Sequence, residues 1–349
     1  MAKSPRNYRT EILEFIRSNP SLSSKKIHEG LGIDIGYATV KRALDALFSE
    51  SLIIKSGKGK GTKYLTGPAY ELLNRIDLDE YFRKEIDERE IKHGFNHSLI
   101  SDTLNKISVF TGEESEYLNS LQQKYAQNIS QLLPSEYESE LERLAIDLSW
   151  KSSQIEGNTY SLLETERLLK EKETAAGKSK DEAIMLLNHK EALDFIMAHP
   201  SYLNPLTISR IEDIHSILMK DLDVDRNIRK RRVGITGTNY KPLDNEFQIR
   251  DALEETCTMV NTKENVFEKS LLALVLLSYI QAFNDGNKRT ARIISNAVLI
   301  NYNYCPVSFR TVDSMEYKKA MLLFYEQNNI TAFKKIFISQ FEFAVNTYF

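Results

Sequence analysis

The stretch that decides the fold is residues 281–292, which read Gln-Ala-Phe-Asn-Asp-Gly-Asn-Lys-Arg-Thr-Ala-Arg. The apolar run before it, residues 271–280, predicts a buried helix, and residues 289–301 predict a second helix. Between the two helices a tight turn contains Gly286, because glycine adopts positive φ values without strain. The stretch therefore predicts a sharp corner between two core helices.

The same turn carries the chemical groups of an anion site. Backbone N–H groups at a helix N-terminus can point into one concavity and bind a phosphate. Arg289 and Arg292 are three residues apart, so they share a helix face and can reach the same anion. Asp285 adds a hard carboxylate oxygen, the ligand type that Mg²⁺ prefers. A glycine turn with a capping aspartate and solvated arginines is the simpler alternative.

The composition fits a soluble, mainly α-helical protein of more than one domain. The chain has 349 residues, 42% apolar and 27% charged, with only 14 glycines and 8 prolines. Its length exceeds the roughly 100–200 residues of one typical domain. No apolar run approaches the roughly 20 residues that span a bilayer. The two cysteines, Cys257 and Cys305, indicate neither a disulfide framework nor a metal site. We therefore expect a cytoplasmic protein without a membrane partner.

The start of the chain is basic, whereas the rest is acidic. Residues 1–64 hold 12 of the 46 Lys and Arg residues but only 6 of the 49 Asp and Glu residues. The pattern there predicts three short helices followed by a hairpin of residues 52–55 and 62–65. This order resembles a winged helix-turn-helix domain, which we place at residues 1–66.

A winged helix of this charge is suited to DNA. Short polar and cationic side chains on the third helix can enter the major groove, while lysines on the wing meet phosphates. The side chains predicted to contact DNA are Thr39, Lys41, Arg42, Lys58 and Lys60. A protein–protein module is the alternative. Residues 67–133 are predicted to be a helical linker, and residues 134–349 the body of the protein.

Residues 281–292 resemble the signature of the Fic (Fido) family, His-x-Phe-x-(Asp/Glu)-Gly-Asn-Gly-Arg-x-x-Arg. The matching positions are Phe283, Asp285, Gly286, Asn287, Arg289 and Arg292. The resemblance covers about residues 130–349 and implies a Fic-type helical bundle with a small β-hairpin flap. It also implies a protein adenylyltransferase, or AMPylator, that uses ATP and Mg²⁺ and modifies a protein target, here an unknown one.

The resemblance assigns roles within the signature, with two departures. Asp285 would hold the metal. The residues that would bind the nucleotide are Asn284, Gly286, Asn287, Lys288, Arg289 and Arg292. Gln281 stands where the family has its catalytic His, and Lys288 stands where most members have Gly. The Lys form also occurs in members that resemble the Doc toxins, whose reaction is protein phosphorylation.

Gln281 determines how much transferase activity to expect. An imidazole, with a pKa of about 6.5, can take the proton of a target hydroxyl. A carboxamide has no titratable group in this range, although it can hydrogen-bond to a hydroxyl and orient it. Losing a general base typically costs a rate factor of about 10²–10⁴. We therefore expect the nucleotide side of the site to be intact and the acceptor side to be impaired.

Residues 152–157 resemble the inhibitory motif of the family, (Ser/Thr)-x-x-x-Glu-(Gly/Asn). The matching positions are Ser152, Glu156 and Gly157. Glu156 is predicted to end a helix, where its charge gains nothing from the helix dipole. The resemblance pairs it with Arg292, in the place of the nucleotide γ-phosphate. A solvated glutamate at a helix end is the alternative.

Residues 233–240 alternate in polarity, contain glycines and lie where the family has its flap, a hairpin that holds the target segment by strand addition. The residues assigned to the flap are Ile235, Thr236, Gly237 and Thr238. A plain surface hairpin is the alternative. The basic run before it, residues 229–232, is interpreted as solvated, and Tyr317 and His189 are interpreted as packing residues.

Three functional hypotheses follow. In the first, the chain binds ATP–Mg²⁺ with little or no transferase activity, and its nucleotide state is relayed to the winged helix. In the second, it is an active transferase of AMP or phosphate that uses another base or water. In the third, it is a DNA-binding transcriptional regulator in which the Fic body is a scaffold for a homodimer.

Overall fold

The computed structural model describes residues 8–349. Residues 1–7 of the predicted winged-helix segment lie outside this description, as does the side chain of Lys60. The described residues form fifteen α-helices and one two-stranded antiparallel sheet. The predicted mainly α-helical fold class is therefore confirmed, and the small sheet lies at residues 53–66.

The chain folds as two compact units. The first comprises Met1–Arg75 and Asp102–Val109, and the second comprises Ile76–Ser101 and Phe110–Phe349. The elements of the first unit are α1 (Tyr8–Ser18), α2 (Ser24–Gly30), α3 (Tyr37–Ser49), β1 (Ile53–Ser56), β2 (Lys63–Thr66) and α4 (Pro68–Leu73). In the hairpin Ile53 lies opposite Thr66, and a short 3₁₀ turn, Gly59–Gly61, lies between the strands.

Local sequence signals explain the elements of the first unit. Ser23 caps α2 by accepting a hydrogen bond from the Lys26 amide at 3.4 Å. Gly32, just after α2, has a φ of +63°. The apolar face predicted for the third helix is buried: Val40, Ala43, Leu44 and Leu47. These side chains pack with those of α1 into one core, which the short helices could not form alone.

The first unit ends later than the boundary predicted at residue 66. It continues to Arg75 because α4 packs against β1. The Gly67 amide donates to Leu52 O at 2.8 Å, and the Ala69 amide donates to Ser51 O at 3.3 Å. The strands themselves each begin one residue later than predicted.

The second unit is helical. Its elements are α5 (Leu78–Tyr81), α6 (Gly112–Ile129), α7 (Pro134–Ile155), α8 (Leu162–Glu171), α9 (Lys180–Ala198), α10 (Ile208–Leu218), α11 (Glu246–Thr262), α12 (Val266–Ile280), α13 (Asn287–Asn301), α14 (Ser314–Gln327) and α15 (Thr331–Thr347). A 3₁₀ turn covers Ile86–Glu88, and a π-helical turn covers Leu99–Leu104. The predicted helical linker thus contains only one long helix, α6.

Helix α12 is the centre of the second unit. Every one of its residues is buried, as the apolar run in the sequence predicts. It packs against α11 on one side and α13 on another, and α14 also contacts it. Helix α13 in turn packs against α7, α9 and α10. The two helices that flank the turn are therefore packed against other helices on several sides.

The hairpin predicted at residues 233–240 does not form. The described structure has no strand in this segment, which is an irregular connection with a turn at Gly237, where φ is +89°. Its polar backbone groups bond elsewhere: Gly237 O accepts from Arg89, and the Lys241 amide donates to His93 O. Among the described residues, this segment has no part in the cross-strand ladder that a hairpin requires.

No helix among residues 8–349 is long and apolar enough to cross a membrane.

Candidate functional site

The turn between α12 and α13 has an unusual backbone at both ends. Gln281 follows the last residue of α12 in the left-handed conformation, with a φ of +53°. Gly286 precedes α13 with a φ of +76°. A Cβ atom there would lie 2.6 Å from the Cε atom of Met219, which is the flexible end of that side chain, so the positive φ is the reason that glycine is favoured.

The side chains of Asn287 and His215 fix the shape of the turn. Asn287 Oδ1 accepts from the Phe283 amide at 2.8 Å, and its Nδ2 donates to Phe283 O at 2.8 Å. The His215 ring stacks on the Phe283 ring with centroids 3.6 Å apart, and its Nε2 lies 3.0 Å from Asp285 O. The first N–H groups of α13 have no acceptor within the helix, so they are available to an anion.

The two signature arginines are buried, so the alternative of solvated arginines is wrong. The side chain of Arg289 is 2% exposed and that of Arg292 is 0% exposed. Arg289 Nη2 forms an ion pair with Asp285 Oδ2 at 2.9 Å, while its Nε and Nη1 atoms have no partner in residues 8–349. Burial lowers the pKa of Arg289 despite the Asp285 charge. Unsatisfied buried donors of this kind favour an anionic ligand.

Asp285 can hold a metal only together with a ligand. Its side chain is 62% exposed, one oxygen faces Arg289, and the other accepts from the Gly286 amide at 2.6 Å. Residues 8–349 contain no group of three or more His, Cys, Asp or Glu side chains that could bind a metal by themselves. One carboxylate plus substrate phosphates is a common way to bind Mg²⁺, and Asp285 fits that arrangement.

Glu156 lies between two cations. It follows the last residue of α7, and Gly157 after it turns the chain with a φ of +103°. Its Oε1 atom is 2.9 Å from Arg292 Nη2, and its Oε2 atom is 3.1 Å from Lys288 Nζ. Arg292 also donates to the Ser152 hydroxyl at 2.8 Å and to Ser152 O at 3.0 Å. The structure thus brings the 152–157 motif and the 281–292 turn together.

The contact between Lys288 and Glu156 was not predicted. The sequence contained a signal for it, because Lys288 and Arg292 are four residues apart and share one helix face. Burial alone would raise the pKa of Glu156, but Arg292 and Lys288 outweigh it and hold that pKa at about 2. The carboxylate is therefore ionised at neutral pH, and it is not the solvated glutamate of the simpler alternative.

Gln281 is tied into the turn through both atoms of its amide. Nε2 donates to Ser278 O at 2.6 Å and lies 3.4 Å from the Tyr325 hydroxyl. Oε1 accepts from Asn287 Nδ2 at 3.3 Å. The side chain is also nearly buried. In this arrangement Gln281 supports the turn with both ends of its amide, and only Oε1 keeps an unused acceptor site.

Arg229 is a residue that sequence reasoning missed. It was interpreted as part of a solvated run, but it is 1% exposed. Its guanidinium donates to Gln281 O at 2.6 Å, to Arg231 O at 2.8 Å and to Leu243 O. It therefore links the turn to both ends of the 231–243 segment. Nothing in the run Arg-Lys-Arg-Arg distinguishes its first residue from the others.

The remaining predicted residues are placed as follows. Asn284 is exposed and lines a cavity of about 750 Å³ beside the turn. In the predicted flap Ile235, Gly237 and Thr238 are half-buried and Thr236 is exposed. Tyr317 and His189 are fully buried, and the Tyr317 ring lies 5.3 Å from the Arg292 guanidinium.

The residues predicted to contact DNA lie in the first unit. Lys41 and Arg42 are exposed on α3, Thr39 is half-buried on the same helix, and Lys58 is exposed between the strands. Lys60 lies in the 3₁₀ turn between the strands, and its side chain is outside the described structure.

The depressed pKa of Glu156 predicts a pH dependence of stability. Because its pKa is about 2 rather than the ordinary 4.5, Glu156 contributes stability above pH 4.5 that is lost as the pH falls towards 2. Between about pH 5 and about pH 2, the melting temperature of the wild type should fall further than that of Glu156→Gln, because glutamine cannot titrate. The control Glu138→Gln, at an exposed helical position, should follow the wild type. Parallel curves for wild type and Glu156→Gln would contradict the ion pair.

The chain matches known proteins in the region of this site. Residues 205–299 match the Fic/DOC family. A protein adenylyltransferase Fic of Aedes aegypti is 29% identical over 159 residues, which is 44% of this chain and 32% of that protein. One from Nematostella vectensis is 29% identical over 182 residues, which is 48% of this chain and 40% of that protein. The chain thus spans only about a third of the length of the curated relatives it matches.

A solved structure shows the same fold. A Fic domain containing signaling protein from Bacteroides thetaiotaomicron superposes with a TM-score of 0.58 at 21% identity, covering 66% of this chain and 95% of that one. This likeness shows the fold, and the match to the family lies within it. Residues 205–299 therefore carry a Fic/DOC family domain.

Proposed function

We propose that the chain is an ATP–Mg²⁺-binding protein of the Fic type, held closed by Glu156 and weakly active or inactive as an adenylyltransferase. The single observation that carries the proposal is the position of the Glu156 carboxylate between Arg292 and Lys288. A carboxylate there takes the place of a phosphate group, because both anions need the same cations.

Different residues of the chain would bind different parts of the nucleotide. Arg292 and Lys288 exchange the carboxylate for a phosphate, and the free N–H groups of the first turn of α13 face the same anion. Asp285 would hold Mg²⁺, which when bound neutralises phosphate charge. Arg289 keeps Asp285 oriented through their ion pair at 2.9 Å.

The acceptor side lacks a base. Gln281 cannot accept a proton, and both ends of its amide are bonded inside the turn. A neighbouring hydroxyl, that of Tyr325, donates to Ser278 O at 2.8 Å. Burial raises the pKa of Tyr325 well above its ordinary value, so this hydroxyl keeps its proton. A transfer reaction would therefore depend on water or on the target itself.

Two alternatives remain as proposals of lower rank. An active transferase, of AMP or of phosphate, is favoured by Lys288, which supplies a third cation to the site. A transcriptional regulator is favoured by the first unit, where three helices and a hairpin carry exposed cations at Lys41, Arg42 and Lys58. In that case the second unit is a scaffold for a homodimer.

Calorimetry with ATP and Mg²⁺ tests the proposal. Glu156→Gly should strengthen binding by about ten-fold or more, since the competing carboxylate is gone. In that background Lys288→Ala should weaken binding several-fold, whereas in the wild type it should have a smaller effect, because there Lys288 holds Glu156. Glu171→Gly, at the exposed end of α8, is the matched control and should bind as the wild type does. An absence of binding heat in the wild type and in Glu156→Gly alike would leave only the scaffold hypothesis.

Transfer from labelled ATP separates the first two hypotheses. In the Glu156→Gly background, adding Gln281→His should increase labelling of the chain or a partner by a factor of about 10² or more, because it restores a base. Label at the α-phosphate reports AMP transfer, and label at the γ-phosphate reports phosphate transfer. Strong labelling by Glu156→Gly with Gln281 intact would show instead that the chain is an active transferase.

A mobility shift with genomic DNA fragments tests the first unit. We expect binding that weakens steeply with salt, since it would depend on phosphate contacts. Lys41→Ala with Arg42→Ala should reduce affinity by about ten-fold and flatten the salt dependence. The control pair Arg9→Ala and Arg17→Ala, exposed on α1, should change it less. An equal loss in both pairs would contradict recognition through α3.

A further inference from the structure

Three hydrogen bonds of the Arg292 guanidinium are made to one short stretch of the chain. Its Nε atom donates to the Ser152 hydroxyl at 2.8 Å, and its Nη2 atom donates to Ser152 O at 3.0 Å. The same Nη2 atom donates to Glu156 Oε1 at 2.9 Å. Ser152 lies in the last turn of α7, and Glu156 follows that helix directly. A movement of this end of α7 would therefore affect all three bonds.

An aromatic ring reaches the same guanidinium from a different helix. Tyr317 lies near the start of α14, and its ring centroid is 5.3 Å from Arg292 Cζ. This distance is within the roughly 6 Å at which the negative face of a ring attracts a guanidinium. Both side chains are fully buried, and the attraction is strongest where water is excluded. The ring is thus a partner of Arg292 that does not belong to α7.

The Tyr317 ring is packed by other residues outside α7. It meets the Phe309 ring edge-on with centroids 5.9 Å apart, and the Phe333 ring with centroids 4.9 Å apart. The Asp313 carboxylate caps α14 by accepting from two backbone amides of its first turn, both at 2.9 Å. None of these contacts involves Glu156 or α7, so they can persist when the end of α7 moves.

Tyr317 offers Arg292 a neutral ring and not a second negative charge. Burial raises the pKa of Tyr317, although the Arg292 charge lowers it. The hydroxyl therefore keeps its proton at neutral pH. A neutral ring attracts a cation but does not replace its counter-charge, so it leaves the place of Glu156 open to a phosphate.

The ring matters most when Glu156 has left and no phosphate has yet arrived. A completely buried guanidinium without a counter-charge is strongly unfavourable. We propose that Tyr317 is a positioning residue whose ring holds the Arg292 guanidinium in place while the Glu156 carboxylate gives way to a phosphate. This inference rests on the proposed function for the identity of the anion. It adds to the site a residue of α14 that sequence reasoning interpreted as packing alone.

Ring fluorination tests the inference, because fluorine weakens the negative potential of the ring face and changes its shape little. The variants are Tyr317→Phe and the same chain with one, two or three ring fluorines on that phenylalanine. Each is made in Glu156→Gln, where Arg292 has lost its counter-charge, and in the wild type. The same fluorine series at Phe333, whose ring neighbours Tyr317, is the matched control.

We expect the equilibrium constant for urea unfolding of Glu156→Gln to rise stepwise with each fluorine at position 317, by about ten-fold over the series, because the ring loses its attraction for Arg292. In the wild type the rise should be smaller, since Glu156 pairs the guanidinium there. The series at Phe333 should not differ between the two backgrounds. Equal slopes at position 317 in both backgrounds, or no slope, would overturn the inference. No nucleotide is used, so the result does not depend on ATP binding.

Calorimetry with ATP and Mg²⁺ gives the second measurement. In the Glu156→Gly background, Tyr317→Leu should weaken binding by about ten-fold, whereas Tyr317→Phe should stay within about two-fold because it keeps the ring. Phe333→Leu, which removes a neighbouring buried ring, is the matched control and should bind as its parent does. Equal losses in Tyr317→Leu and Tyr317→Phe, or in Tyr317→Leu and Phe333→Leu, would overturn the inference.

The two measurements separate this inference from the proposed function. If Glu156→Gly binds no nucleotide, the proposed function fails, and the unfolding series still decides whether the Tyr317 ring supports Arg292. The fluorinated variants keep the volume of the buried ring, so they also cover the case in which Tyr317→Leu does not fold.

Discussion

The structure of the site depends on the pairing of one carboxylate with two cations. Arg292 is completely buried, and a buried charge is stable only when it is paired and hydrogen-bonded. Glu156 supplies the opposite charge, and the carbonyl and hydroxyl of Ser152 accept two further hydrogen bonds. Any anion that replaces Glu156 must therefore offer at least as much charge. A phosphate group carries such a charge, which is why the proposed function assigns it the place of Glu156.

The contacts of the 87–94 segment use different residues from this pairing. Glu156 contacts Arg292 and Lys288, whereas Arg89 contacts Glu326 and Gly237 O. None of these residues belongs to both sets, so the two groups of buried charges are paired separately within the second unit.

The sequence predicted the parts of this structure that are determined locally. The apolar run of α12 implied burial on all sides, and Gly286 implied the left-handed corner. The helix that Glu156 terminates was also expected from its own stretch. The contacts that were missed join residues far apart in the chain: Arg229 with Leu243 O, and Arg89 with Gly237 O. The hairpin predicted at residues 233–240 is absent from the described structure, and there Gly237 O accepts from the distant Arg89.

The side chain of Gln281 holds the turn together but cannot act as a general base. Its amide joins Ser278 O to the Asn287 side chain, and Asn287 in turn holds Phe283. A carboxamide offers two donor hydrogens and two acceptor lone pairs, but it has no titratable group in the neutral range. Gln281 is therefore suited to link the residues of the turn, and the same chemistry leaves it unable to take a proton.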